Sequence, residues 1–209
     1  MIKLKYLLNE LTKRQKELKR DYLFRQSKLQ SSNKIPTFDK IWVALKNSDS
    51  FTDEIKIRID DPTSPELNPE VVEQWIKEEQ EERYDDIVYE YQQLEGESCW
   101  RNVILHKSID PKTHDQLGIH WAIVESAAED YWGIHKNDYT LDCTYEAIIE
   151  LKNVDWPGTI YARMDMSLGE DEQEIRFLKN AILLVEKVLV VDTQNETSNE
   201  YFINSRKRA

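Results

Sequence analysis

The sequence predicts an α+β protein: a helical amino-terminal region, residues 1–95, packed on a mixed α/β domain over 96–195, with a tail at 196–209. Two observations carry this. Before Gly96, apolar residues recur at helical spacing within highly charged segments. After Gly96, short runs rich in β-branched and aromatic residues replace them: "CWRNVIL", "YEAIIELKN", "TIYARMD", "QEIRF" and "VEKVLVVD".

The elements follow in order. Leu4, Leu7, Leu8 and Leu11 repeat at helical spacing, and Leu18, Tyr22 and Leu29 extend the stripe, so residues 2–30 read as one long helix ended by "SSNKIP". Thr37 stands where an N-cap would precede a short helix bearing Phe38, Ile41, Trp42 and Leu45 on one face. In "EIKIRID", Ile55, Ile57 and Ile59 alternate with charges, which reads as a short strand, with a helix as the other option. "DDPTSPELNP" is linker-like. Asn68 then caps a helix whose first position is Pro69, and Val71, Val72, Trp75, Ile76, Tyr84, Ile87, Val88, Tyr91 and Leu94 form its stripe up to Gly96. In the second half, "ESAAEDYWGIHKN" suits a short helix, and "TQNETSNEYFINSRKRA" reads as a fraying tail.

Composition narrows the function. The chain has 209 residues, 33% of them charged, and a net charge of −12, which argues against binding nucleic acid over the whole surface. The charge is uneven: residues 3–28 carry nine Lys or Arg against three acids, a basic segment on an acidic body. Five glycines and no phosphate-loop pattern argue against a Gly-rich nucleotide cradle. Two cysteines make no disulfide framework, the charged start does not read as a signal peptide, and no run reaches the length of a membrane span. A soluble, cytoplasmic protein with reduced thiols is the expectation. Cys99 with His106, or Cys143 with His135, lacks any nucleophile signature, and the four histidines show no zinc-ligand spacing.

The concentrated chemistry lies in "SLGEDEQEIRFLKN", residues 167–180, where acids crowd the start of an alternating apolar segment. Two residues apart on an extended chain, Glu172 and Glu174 point to one face. Like charges so close cost free energy unless they are solvated, paired or assigned a task. Arg101 lies in the otherwise apolar "CWRNVIL", and a guanidinium there suits a bidentate contact with a charged ligand or with a carboxylate.

An arginine-bearing strand, then "LGIHWAIVESAAEDYW", then "EDEQEIRF" and a last hydrophobic strand: this order, over residues 96 to about 193, resembles the mono-ADP-ribosyltransferase family. The resemblance implies two small β-sheets facing each other with NAD in the cleft between them, and a protein substrate modified on arginine. By it, Glu174 stabilises the oxocarbenium-like state reached as the nicotinamide–ribose bond breaks, and Glu172 orients the acceptor or takes its proton. Arg101 would hold the dinucleotide, and Trp121, Tyr131 or Trp132 would stack on nicotinamide. "GIHWA" stands where the family has an S-T-S strand whose hydroxyls hold the catalytic glutamate. It has neither Ser nor Thr, so His120 is the expected donor to Glu174. The alternative is a non-catalytic acidic interaction module, including a transferase fold that has lost activity.

Overall fold

The computed structural model describes residues 30–61, 68–129, 139–165, 173–192 and 194–209. The helix expected over 2–30 lies, but for its last residue, outside the described residues, as does most of the linker-like segment. Five α-helices and six strands are described, in the order α1 (Phe38–Lys46), α2 (Asp49–Ile59), α3 (Pro69–Gln92), β1 (Ser98–His106), β2 (His120–Ala122), α4 (Glu125–Glu129), β3 (Thr140–Ile148), α5 (Trp156–Met164), β4 (Glu174–Arg176), β5 (Ile182–Asp192) and β6 (Thr197–Arg208).

The helices before Gly96 follow local signals, with one exception. α1 buries Phe38, Ile41, Trp42 and Leu45 as its spacing predicts, although the Thr37 side chain makes no capping bond. α3 starts at Pro69, and the Asn68 side chain accepts from the Glu70 amide at 2.9 Å. Its buried stripe is Val72, Ile76, Gln80, Ile87 and Tyr91. "EIKIRID", expected as a strand, belongs to α2. Ser48 caps that helix by accepting from the Phe51 amide at 3.1 Å, and Arg58 pairs with Glu54 one turn back at 2.7 Å. Phe51, Ile55 and Ile59, four residues apart, meet the core, while Ile57 is 65% exposed. The alternating isoleucines concealed that longer period.

All six strands lie in one antiparallel sheet of order β4-β2-β1-β3-β5-β6. Two facing sheets were expected. β1 instead pairs with β3 along its whole length and with β2 at Trp100–Ala122, which joins the described strands into one ladder. The 197–209 tail is also corrected: it does not fray but pairs with β5 from Thr197 opposite Asp192 to Arg208 opposite Ile182. Asp192 accepts from the Gln194 and Asn195 amides and so shapes the turn between β5 and β6. Lys207 is buried, and its ammonium donates to the carbonyls of Lys112, at 2.8 Å, and His114, at 2.5 Å. Desolvation holds its pKa below the usual lysine range.

"TIYARMD", expected as a strand, is part of α5. Pro157 sits in that helix's first turn, and Trp156–Ala162 and Met164 are all buried. A helix buried on every side reads as a continuous apolar run, which periodicity does not separate from a core strand. α1, α3 and α5 pack together, and their buried side chains join those of the sheet in one hydrophobic cluster.

Strand alternation divides the sheet into two faces. One carries Cys99, Cys143, Tyr145, Ala147, Val188, Trp121 and Ile175, all buried. The other carries Trp100, Asn102, Thr144, Glu146, His120 and Glu174.

Two predictions follow from this packing. Burial pushes both thiols up, Cys143 to about 12, so neither forms appreciable thiolate near neutral pH. Native protein should leave a chromogenic disulfide reagent unreacted, and both thiols should react once urea unfolds the chain. Deleting residues 197–209 strips β5 of its partner on one edge and should abolish cooperative thermal unfolding. A melting temperature within about 2 °C of the parent would show β6 to be dispensable.

Candidate active site

β4 is three residues long, and two structures hold it. On one edge it pairs with β2, with Glu174 opposite Ala122, Ile175 opposite Trp121 and Arg176 opposite His120. On the other edge the helical layer takes the place of a neighbouring strand. The Tyr91 hydroxyl of α3 donates to the Glu174 carbonyl at 2.8 Å. The Thr159 hydroxyl of α5 accepts from the Arg176 amide at 2.9 Å and donates to its carbonyl at 3.3 Å, and the Asp155 amide donates to the same carbonyl at 2.7 Å.

Glu174 points to the polar face of the sheet and is 3% exposed. Nδ1 of His120, on the adjacent strand, lies 2.5 Å from its Oε1, and the His120 side chain is 19% exposed. With Glu174 ionised, the bond is donated from Nδ1. The contact follows from parity: His120 and Ala122 share a face, and Ala122 is opposite Glu174, so His120 reaches the carboxylate on the diagonal. The contact expected from the sequence is therefore present.

The other predicted residues are placed differently. Arg101 pairs across β1 and β3 with Tyr145, on the face opposite Glu174, and its Nη1 donates to the His120 carbonyl at 2.8 Å. The structure thus brings Arg101 to the backbone of His120, not to the carboxylate. Trp121 is 2% exposed, packs edge-on against Phe177 with ring centroids 6.1 Å apart, and donates from Nε1 to the Gly118 carbonyl at 2.9 Å. It is a core residue with no face open to a ligand, which corrects its expected place beside nicotinamide. Glu172, Tyr131 and Trp132 lie outside the described residues.

One cluster went unread in the sequence. Asn102 extends the polar face from His120, and its side-chain amide donates to Asp142 at 2.5 Å and Thr144 at 3.2 Å. Farther along β3, Glu146 accepts from Ser98 and pairs with Lys187 at 2.9 Å. Burial pulls the Glu146 carboxyl upward, but the bonds from Lys187 and Ser98 outweigh it and hold the group below the usual range. Asp142, Thr144 and Glu146 alternate with Cys143, Tyr145 and Ala147, a period-two signal of one polar face that was visible in "DCTYEA".

Beside this contact lies a buried ion pair. Arg176 Nε is 3.1 Å from Asp155 Oδ2, and both side chains are largely buried. Asp155 also accepts from the Ser31 hydroxyl and the Ser32 amide, each at 3.2 Å. Gly158 makes room: a Cβ there would stand 2.7 Å from Arg176 Cδ. A cavity of about 260 Å³ opens between β3, β5 and β6, several strands from Glu174 and lined in part by Asp110, Lys112 and Tyr201. Among the described residues no group of His, Cys, Asp and Glu could hold a metal ion, and no helix is long and apolar enough to cross a membrane.

Comparison with known proteins adds no relative: no family model, no curated protein and no solved structure matches the chain.

Removing one member of a buried pair strands the other. Arg176→Met should cost about 3–5 kcal/mol of stability in urea unfolding, and Asp155→Asn combined with it should cost less than the sum of the single changes. Additive costs would show that the two side chains do not interact.

Proposed function

We propose that the protein is an NAD-dependent mono-ADP-ribosyltransferase that modifies a protein target, with arginine as the acceptor side chain. The observation that carries this reading is the buried Glu174 carboxylate held at 2.5 Å by His120 on the neighbouring strand. In the reaction the bond from ribose C1′ to the nicotinamide nitrogen breaks, nicotinamide leaves with the electron pair, and an acceptor nitrogen bonds to C1′ and loses a proton. Positive charge gathers on the ribose as the bond lengthens. A carboxylate fixed beside it, in a site of few water molecules, stabilises that charge without reorganising.

This chain's own residues divide the work as follows. Glu174 faces the developing charge. His120 fixes the carboxylate's direction, the task of the hydroxyls that "GIHWA" lacks. Arg101 holds the main chain of His120, so its part is to keep β1 and β2 in place. Asn102, Asp142 and Thr144 offer polar groups on the same face for sugar hydroxyls. The arginine acceptor rests on the resemblance, through Glu172.

A second reading, an acidic interaction module, draws on α3. That helix carries nine acids against two bases and exposes Val71, Trp75 and Tyr89. Millimolar NAD separates the two: it should raise the melting temperature of a transferase and leave that of a binding module unchanged.

Glu174→Gln keeps the shape of the side chain and removes its charge. It should lower release of nicotinamide from labelled NAD by about 10²–10³-fold, with an unchanged circular dichroism spectrum. Activity within a few-fold of the parent would overturn the assignment.

A further inference from the structure

The geometry points to Tyr91 and Thr159 as positioning residues for Glu174: the helical layer sets the carboxylate's direction by holding the free edge of β4. The inference rests on the transferase reading for its consequence in turnover, but its physical content is independent of that reading.

β2 bonds the backbone of β4 and its flanks from one side only: the Phe177 amide donates to the Ile119 carbonyl at 2.8 Å, and the Ile123 amide donates to the Gln173 carbonyl at 2.9 Å. In an antiparallel pair the intervening residues, Glu174 and Arg176, turn their amides and carbonyls the other way. At the edge of a sheet those groups normally meet water. Here three of the four, the Glu174 carbonyl and both main-chain groups of Arg176, meet side chains of two helices. Tyr91 is fully buried, and its hydroxyl donates to the carbonyl of Glu174 itself. Thr159, also fully buried, bonds both the amide and the carbonyl of Arg176, as the backbone of a further strand would.

Direction of the carboxylate depends on the peptide that carries it. The His120 contact is a single 2.5 Å bond made on the diagonal, so a small rotation of the Glu174 backbone would lengthen or break it. Ladder bonds at the neighbouring residues fix the strand on one side. The hydroxyls of Tyr91 and Thr159 fix it on the other and remove the remaining freedom to twist. Both hydroxyls bond main-chain atoms of β4, so each acts through the strand that carries Glu174.

The test uses the full chain with Tyr91→Phe and, separately, Thr159→Val. Two readouts are taken: the His120 ring resonances in ¹⁵N-labelled protein, and steady-state cleavage of labelled NAD. The expected result is a shifted His120 signal in both variants, while His106, at the far end of β1, and His114, on the loop after it, keep theirs. Turnover should fall about tenfold, as for one lost hydrogen bond, with KM for NAD within about twofold. In a Glu174→Gln background, Tyr91→Phe should lower the melting temperature as much as it does with Glu174 in place but scarcely change the residual turnover, because the group it positions is gone. An unmoved His120 signal in both variants overturns the inference, whatever the activity. An equal loss of turnover with and without the Glu174 carboxylate also overturns it, since that pattern marks a merely structural role. Should the parent protein not cleave NAD while His120 still shifts, the transferase reading fails and the positioning role stands.

Discussion

A carboxylate that is 3% exposed must be paired, because the interior solvates charge poorly and an unpartnered buried ion costs several kcal/mol. Glu174 meets this constraint through His120, and much of the surrounding architecture serves to keep the two in register. β2 and β4 are only three residues each, too short to be stable as an isolated pair. β2 is therefore held on its other side by β1 and by the Arg101 guanidinium on the His120 carbonyl. β4 is held on its other side by α3 and α5. A histidine–glutamate contact on one face thus depends on hydrogen bonds that run in the plane of the sheet, from strands on one side and helices on the other.

The same dependence explains why the helices before Gly96 and the sheet after it share one hydrophobic cluster. α5 comes from the second half of the chain yet packs on α1 and α3, and it carries Thr159 to the edge of β4. Asp155, just ahead of it, gathers three attachments: its amide on the Arg176 carbonyl, its carboxylate on Arg176, and the Ser31–Ser32 segment on that carboxylate. Gly158 is required by the close approach of the Arg176 stem, where any Cβ would overlap it. The residues that join the helices to the sheet are those that flank the candidate site.

What could be read in advance was local. Asn68 and Pro69 announce α3 because a cap and a first-turn proline act within a few residues, and the four-residue spacing in α1 reports its buried face directly. The alternating isoleucines of α2 misled because Phe51, which completes the helical stripe, lies outside the quoted run. α5 was read as a strand because burial on all sides erases its period. β6 looked like a polar tail because most of its side chains face solvent, and what orders it is backbone pairing with β5, which composition does not reveal. The His120–Glu174 contact was expected only through the resemblance that the order of the segments suggests. The Asn102–Asp142–Thr144 cluster was not, since it needs the register of β1 against β3.

Register also decides what Arg101 can do. In linear order, Arg101, His120 and Glu174 line up as three parts of one site, and β1, β2 and β4 are indeed neighbours in the sheet. Adjacency of strands is not adjacency of side chains, however. With Trp100 opposite Ala122, every second residue of β1 faces His120, and Arg101 is the odd member: its stem enters the face of Cys99, Tyr145 and Trp121. A charge on that face has to find acceptors nearby, and the His120 carbonyl is one. A slip of one residue in the pairing of β1 would bring Arg101 to the carboxylate and turn Trp100 and Asn102 into the core. Core packing excludes that slip, because Cys99 and Leu105 would leave the buried face at the same time. The hydrophobic pattern of β1, fixed by packing against β3, therefore determines that His120 and not Arg101 reaches the Glu174 carboxylate.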